Sequence, residues 1–456
     1  MNIVSVNPAN GKPLKKYRAH TPKQVEQKIA HTHKAWLNWK GTGDDERSRL
    51  LTNMAGILQS RKKEFAILMA QEMGKPIAQG VAEIEKCAAV CQYYAANAAT
   101  FLKDQLIETE ASKSFVSFQP IGVVLAIMPW NFPFWQVFRF LAPALAAGNC
   151  GVLKHASNVP GCALAIEEVV QQAGFPENVF QALLVNSSIV EKIIENPLIQ
   201  AVTITGSTNA GKQVAQKAGS LVKKTVLELG GSDAYIILED ADLEKAAQAS
   251  VSSRIINSGQ SCIAAKRFIV VKSVQKKFTG LFLNKMKLKK MGDPLNAATD
   301  IGPQARADLR NELHEQVKRS IKKGAKCILG GEIPKGKSAY YPATILTKVK
   351  PGMPAYNEEL FGPVAAIIVA KDEVDAIRIA NDSSFGLGAA VFTKDKERGE
   401  KIAATQLQSG SCFVNAMVKS DPRLPFGGIK QSGYGRELGL FGIHEFVNIK
   451  TVYVSD

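Results

Sequence analysis

A chain of 456 residues is too long for one ordinary hydrophobic core, so two large domains are expected. With 46% hydrophobic and 21% charged residues, the composition excludes a disordered chain and describes a soluble globular one. A net charge of +16 admits a nucleic-acid partner, but no DNA- or RNA-binding motif accompanies it; we read the charge as a field that gathers small anionic ligands and expect no nucleic-acid binding.

In chain order, the N-terminus has no basic segment followed by an apolar one, so a cytoplasmic protein is expected. Residues 44–73 carry apolar side chains at helical spacing between acidic residues and Gly74-Lys75-Pro76, which predicts a long amphipathic helix. Cys87 and Cys91 stand one helical turn apart with no histidine near them. They read as small apolar residues on a buried helix face, and no metal site is expected. All seven cysteines are scattered, which is no disulfide framework.

Residues 115–119 and 121–128 are strand-like, and the second strand runs into Pro129-Trp-Asn-Phe-Pro133, the kind of place where an open α/β sheet binds ligands. The apolar region 121–153 holds Asn131, Arg139 and three prolines, so it reads as buried core and no membrane span is expected. Another strand ends at Lys154, with a helix after Ala156-Ser157-Asn158. The strand 201–205 gives way to Gly206-Ser-Thr-Asn-Ala-Gly211 and a helix from about Lys212. That turn is not the common dinucleotide fingerprint, yet it aims helix N-terminal amides at a phosphate. Residues 276–290 predict an amphipathic helix with a solvated lysine face, and residues 446–454 alternate as a final strand whose edge is expected to pair with another subunit. Strands alternating with helices predict an α/β protein with a parallel sheet.

Two segments carry the chemistry. Glu228-Leu-Gly-Gly231 and Asn257-Ser-Gly-Gln-Ser-Cys262 offer a carboxylate and a thiol, each beside flexible glycines. With these residues, and with Pro129-Trp-Asn-Phe-Pro133, Thr205-Gly-Ser207, Glu358-Glu-Leu-Phe-Gly-Pro-Val364 and Pro425-Phe-Gly-Gly-Ile-Lys-Gln-Ser-Gly433, the chain closely resembles the aldehyde dehydrogenase superfamily over its whole length. Within it, Lys154-His-Ala-Ser-Asn158 and Glu228-Leu-Gly-Gly-Ser-Asp233 are most similar to the short bacterial succinate-semialdehyde dehydrogenases.

The resemblance implies a Rossmann-like cofactor-binding domain (residues 1–104 and 120–230), an α/β catalytic domain (231–430) and a small β oligomerisation element (105–119 and 431–456) that builds a homodimer or homotetramer. It implies Cys262 as nucleophile, the Asn131 amide and the Cys262 backbone N–H as oxyanion donors, and Glu228 as general base. A thiolate is the better nucleophile for the tetrahedral adduct that aldehyde oxidation needs, and preorganised donors stabilise the oxyanion. Trp130, Lys154, Gly206, Ser207, Glu359 and Phe361 match cofactor contacts. Where many NAD-preferring relatives carry a glutamate that repels a 2′-phosphate, this chain has Ser157. Both NADP and NAD are therefore expected as cofactors, with NADP preferred. His155 replaces a proline common after this lysine.

Arg139 and Ser420 match residues that face a distal substrate carboxylate. Arg139 reads equally well as one half of a structural salt bridge, and Ser420 as a polar loop residue. The expected partner is a small aldehyde with a distal carboxylate: succinate semialdehyde, or a homologue such as glutarate semialdehyde. A cofactor-independent thiol esterase is the less favoured alternative. Ile263, Ala264 and Ala265 follow Cys262, so no neighbouring cysteine is present to form a local redox switch.

Overall fold

The computed structural model describes residues 2–336 and 338–456. It is an α/β protein built on two parallel-rich sheets, with helices packed against them. The first sheet has six strands. In spatial order they are Gly433–Tyr434, Lys224–Glu228, Ile199–Thr205, Val123–Met128, Cys150–His155 and Phe180–Ala182. The strand earliest in sequence, Val123–Met128, lies in the middle, and the chain winds outward from it in both directions. This reversal opens a crevice at the C-terminal ends of Val123–Met128 and Ile199–Thr205.

A second sheet has seven strands, with Ala234–Ile237 and Arg267–Val271 at its centre and Val364–Ala370 beside them. The chain leaves the first sheet at Glu228 and enters the second at Ala234. The C-terminal edge of one sheet is thus brought to the N-terminal edge of the other, with only five residues between them.

The long helix runs Asp44–Met73 as expected and ends on Gly74 at φ 77°, where glycine adopts the left-handed conformation without penalty. The helix expected from Lys212 begins four residues earlier, at Thr208, because the Ser207 hydroxyl accepts from the Ala210 amide and caps it. The lysine-rich helix, Gln275–Lys287, buries Phe278, Phe282 and Met286. Cys87 and Cys91 are fully buried on the helix Ile77–Phe101, and burial raises both thiols' pKa values.

The C-terminal strand forms as expected, over Val447–Val454. Strand Val447–Val454 pairs antiparallel along its whole length with Lys113–Pro120 of the same chain, from Val447 opposite Pro120 to Val454 opposite Lys113. One edge of the tail is therefore satisfied internally, and the other is the outer edge of a three-stranded sheet. Residues 431–446 do not form part of that sheet. Gly433–Tyr434 pairs with Lys224–Glu228 in the first sheet, and Gly439–His444 is a short helix packed on Trp135–Ala146 and Ile77–Phe101. No helix among the described residues is long and apolar enough to cross a membrane.

Candidate active site

Four strand ends of the first sheet supply side chains to one region. Asn131 follows Val123–Met128, Lys154 lies near the end of Cys150–His155, Thr205 ends Ile199–Thr205 and Glu228 ends Lys224–Glu228. From the second sheet come Cys262, just before Arg267–Val271, and Glu359 and Phe361, just before Val364–Ala370.

The loop that carries Cys262 is held in an unusual conformation. Asn257, Ser258 and Gly259 have φ values of 50°, 55° and 78° in succession. Two of them are non-glycine residues in a region that disfavours side chains, so the surroundings must fix them. The Asn257 amide group donates to the Asn131 carbonyl at 2.6 Å and to the Gln260 carbonyl at 3.0 Å. The Ser258 hydroxyl accepts from the Gly302 amide at 2.9 Å, and the Gln260 side chain accepts from the Ala305 amide at 2.8 Å. Gly259 sits against the Gly362 carbonyl so closely that a Cβ there would lie 2.2 Å from it. Lys266 completes the frame by donating to the Ser261 carbonyl at 2.8 Å and the Cys262 carbonyl at 2.5 Å.

Asn131 is buried, and its side-chain nitrogen donates to the Gln260 carbonyl at 3.2 Å. The two expected oxyanion donors, Asn131 and the Cys262 backbone, are thus tied to the same loop. Burial pushes the Cys262 thiol up to about 12, against the opposing fields of Lys266 and Arg139. Glu228 is buried with no hydrogen-bond partner on either oxygen, and burial holds its carboxyl well above the usual range despite Arg139. The two groups lie close enough that each senses Arg139 and that Glu228 raises the thiol's pKa.

Beside Cys262 is a small chamber of about 70 Å³ whose walls include Phe132, Arg139, Ser420, Phe426 and Lys86. Both residues expected to face a distal carboxylate therefore reach it. Arg139 is nevertheless already engaged: its Nε pairs with Glu437, its Nη2 donates to the Thr205 hydroxyl at 3.3 Å, and its guanidinium lies 4.6 Å from the Phe426 ring centre. The structural salt bridge that the sequence left open is present. Ser420 is buried and accepts from the Lys86 ammonium at 2.6 Å. Lys86, Phe132 and Trp135 also line an adjoining cavity of about 370 Å³, edged by the Lys289–Asp300 ion pair.

The expected cofactor residues form two groups. Glu359 accepts from the Gly231 amide at 3.0 Å and lies 3.4 Å from the Lys266 ammonium. Phe361 meets Trp130 edge-on with ring centres 5.7 Å apart. Glu359 and Phe361 line a cavity of about 510 Å³ with Leu309, Gln316 and Arg319. Lys154, on the strand Cys150–His155, and Ser157, Gly206 and Ser207, in the turns that follow first-sheet strands, lie outside that lining. Lys154 is buried, and its ammonium has no hydrogen bond or ion pair among the described residues, so burial lowers its pKa with nothing to offset it. Ser157 and Ser207 are exposed. His155, at a place where the family commonly has a proline, bridges two segments. Its Nδ1 accepts from the Ala156 amide at 2.9 Å, leaving Nε2–H to donate to the Pro133 carbonyl at 2.9 Å. The imidazole thus ties the Lys154 strand to the Asn131 loop.

Sequence reasoning missed Lys86, Lys266, Glu437 and the buried Lys75–Glu83 pair. Glu83 accepts from the Phe134 and Trp135 amides at 2.9 Å and so caps the helix that carries Arg139. Glu83 and Lys86 lie one helical turn apart in Ile77–Phe101, and it is the packing of that helix against Trp135–Ala146 that brings them to the site.

The family model for the aldehyde dehydrogenase family matches residues 1–452. The chain is 49% identical over 455 residues to a "Probable succinate-semialdehyde dehydrogenase" of Synechocystis named for NADP+, covering all of both chains. It is 44% identical to the succinate semialdehyde dehydrogenase Sad of Escherichia coli, named for NAD(P)+, covering 99% of this chain and 98% of the other. Among solved structures, it is similar to succinic semialdehyde dehydrogenase from Streptococcus pyogenes in complex with NADP+. The TM-score is 0.97 at 35% identity, and all of both chains is covered.

Proposed function

Since the chain belongs to the aldehyde dehydrogenase family, an oxidoreductase family that oxidises an aldehyde through a catalytic cysteine with NAD(P)+, we propose that its substrate is succinate semialdehyde and its product succinate. The observation that carries the substrate class is the cationic wall of the Cys262 chamber. Lys86 and Arg139 flank the space beside the thiol, and Glu437 neutralises only one of them. An aldehyde with a distal carboxylate supplies the missing charge, whereas a plain alkyl aldehyde leaves a half-buried ammonium without a counterion. The relatives' names point the same way.

For the cofactor we propose NADP in preference to NAD. The residues fit a phosphorylated dinucleotide: Lys154 is a buried ammonium without an acceptor, Ser157 beside it brings a hydroxyl and no negative charge, and Ser207 opens a helix N-terminus. Glu359, Trp130 and Phe361 would hold the nicotinamide end. The bound nicotinamide supplies the hydride acceptor.

In the proposed mechanism, the Cys262 thiol gives its proton to Glu228, which passes it on to solvent, as the sulfur adds to the aldehyde carbon. Asn131 Nδ2 and the Cys262 N–H hold the resulting oxyanion, a kind of contact worth about 3 kcal/mol per donor in other enzymes. Loss of hydride leaves a thioester on Cys262. Water then attacks the thioester carbon as Glu228 takes its proton, and the C–S bond breaks as Glu228 returns that proton to the departing sulfur, releasing the carboxylic acid and the thiol. Buried without hydrogen-bond partners, the Glu228 carboxyl gains base strength as its pKa rises. We further propose a cytoplasmic homodimer or homotetramer that uses the outer edge of Val447–Val454, where Ile449 and Tyr453 are exposed.

The test is reduced-cofactor formation by the purified protein with succinate semialdehyde, glutarate semialdehyde and butanal, each with NADP and with NAD. A kcat/KM highest for succinate semialdehyde with NADP is expected. Equal use of butanal would refute the substrate assignment, and a strong preference for NAD would refute the cofactor assignment.

A further inference from the structure

The proposed oxyanion donors, Asn131 Nδ2 and the Cys262 N–H, sit on separate loops, and they act together only if those loops keep a fixed spacing. The Asn131 side chain does little to hold itself. Among the described residues its Oδ1 has no hydrogen-bond partner, and its Nδ2 gives one N–H to the Gln260 carbonyl and keeps the other. Its place is therefore set by the segment around it, and that segment is gripped from the helix Ile77–Phe101 and the turn before it.

Glu83 and Lys75 hold the Asn131 side. One Glu83 oxygen accepts from both the Phe134 and the Trp135 amides at 2.9 Å, and the other pairs with the Lys75 ammonium. That ammonium lies 3.7 Å from the centre of the Phe132 ring, the residue after Asn131. The helix Trp135–Ala146 has no side-chain cap of its own, so Glu83 supplies one from another helix. Glu83 and Lys75 are buried, and neither lines the chamber at Cys262, so neither is placed to touch the reacting atoms. Gln79, one helical turn before Glu83, holds the other side. Its Oε1 accepts from the Asn257 amide at 2.5 Å, at the start of the loop that ends on Cys262. Residues four apart on a helix share a face, so one rigid face carries both loops.

We infer that Glu83, fixed by Lys75, is a positioning residue for the reaction: it sets where Asn131 Nδ2 stands relative to Cys262, whose loop Gln79 anchors to the same helix face. This rests on the proposed role of Asn131 as an oxyanion donor. Its effect falls on turnover more than on cofactor binding, because Lys154, Ser157 and Ser207, the proposed contacts of the phosphate end, belong to other loops. It also acts through Asn131, so it disappears when the Asn131 amide is absent, which the loss of a merely structural helix cap would not do.

The experiment is a mutant cycle on the full chain. It compares wild type, Lys75→Met/Glu83→Leu, which removes the buried pair without stranding a charge, Asn131→Ala, and all three substitutions together. For each, kcat/KM is measured for one aldehyde that the wild type oxidises, at saturating NADP. NADP binding, followed by protein fluorescence, gives a Kd and the number of binding sites, to which turnover is normalised so that unfolded chains do not count. Lys75→Met/Glu83→Leu is expected to lower kcat/KM about 10- to 100-fold, part of what loss of an oxyanion donor costs, while the Kd changes far less. With Asn131→Ala already present, the same replacement is expected to cost less than about 3-fold. Lys75→Met/Glu83→Gln keeps a neutral acceptor for the two amides and is expected to recover part of the loss; it carries the same cycle if Lys75→Met/Glu83→Leu binds no NADP. A kcat/KM equal to wild type without the pair, or the same fold loss with and without the Asn131 amide, would overturn the inference. Wild-type turnover in Asn131→Ala alone would instead refute the proposed role of Asn131.

Discussion

Cys262 shows how a single group's setting limits what it can do. Burial raises its pKa to about 12, so at neutral pH the resting side chain is a thiol, although thiolate is the reactive form. Alkylation by iodoacetamide in the absence of cofactor is therefore expected to be slow at pH 7 and to rise about tenfold per unit to pH 9. A plateau near pH 8 would contradict this. His155 gives a second expectation, for stability. Burial lowers its pKa from 6.5 to about 4, so above pH 6.5 folded and unfolded chains are both neutral there. Between 6.5 and 4 the unfolded chain gains a proton that the folded chain resists, and stability is lost on acidification. The fall in Tm from pH 7 to pH 5 is expected to be shallower in His155→Gln than in wild type; equal slopes would show that His155 has no part in it.

At the scale of elements, Cys262, the proposed nucleophile, depends on the loop 257–262 more than on any helix or strand. Of the three successive residues at positive φ, Asn257 is held by Asn131 and Ser258 by Gly302, Ala305 anchors Gln260 after them, and Gly259 leaves no room for a side chain against Gly362. Gly259→Ala is expected to displace Cys262 and lower kcat at least about 100-fold, the scale of effect seen when reacting groups are misplaced by about an ångström. Far-UV circular dichroism should stay native, because the loop lies between regular elements. Near-wild-type turnover would mean that the loop tolerates the shift. The helix Trp135–Ala146 depends in the same way on Glu83, whose carboxylate takes the place of an N-cap side chain.

At the scale of the whole molecule, the site exists because two sheets are joined edge to edge at residues 229–233, with the C-terminal strand closing a separate sheet. Deleting residues 447–456 removes the eight-residue partner of Lys113–Pro120 and bares an edge strand. The truncated protein is expected to lose several degrees of Tm and to elute differently on size exclusion, as dissociated or aggregated species. An unchanged elution volume and Tm would show that this sheet contributes to neither stability nor assembly.

Much of this was legible in the sequence, because it resides in local pattern. The helix over 44–73, the strands ending at Met128 and Thr205, the buried cysteines and the parallel α/β architecture follow from spacing, caps and apolar runs, which act within a few residues. The resemblance of Glu228-Leu-Gly-Gly231 and Gly259-Gln-Ser-Cys262 to a family was equally local. Tertiary structure alone decided which charges are satisfied. Arg139 meets Glu437 almost 300 positions away, Ser420 meets Lys86 more than 300 away, and the tail finds its partner strand in its own chain. The free energy of a charge depends on its burial and on the groups across the cavity, and neither is encoded in a residue's neighbours along the chain.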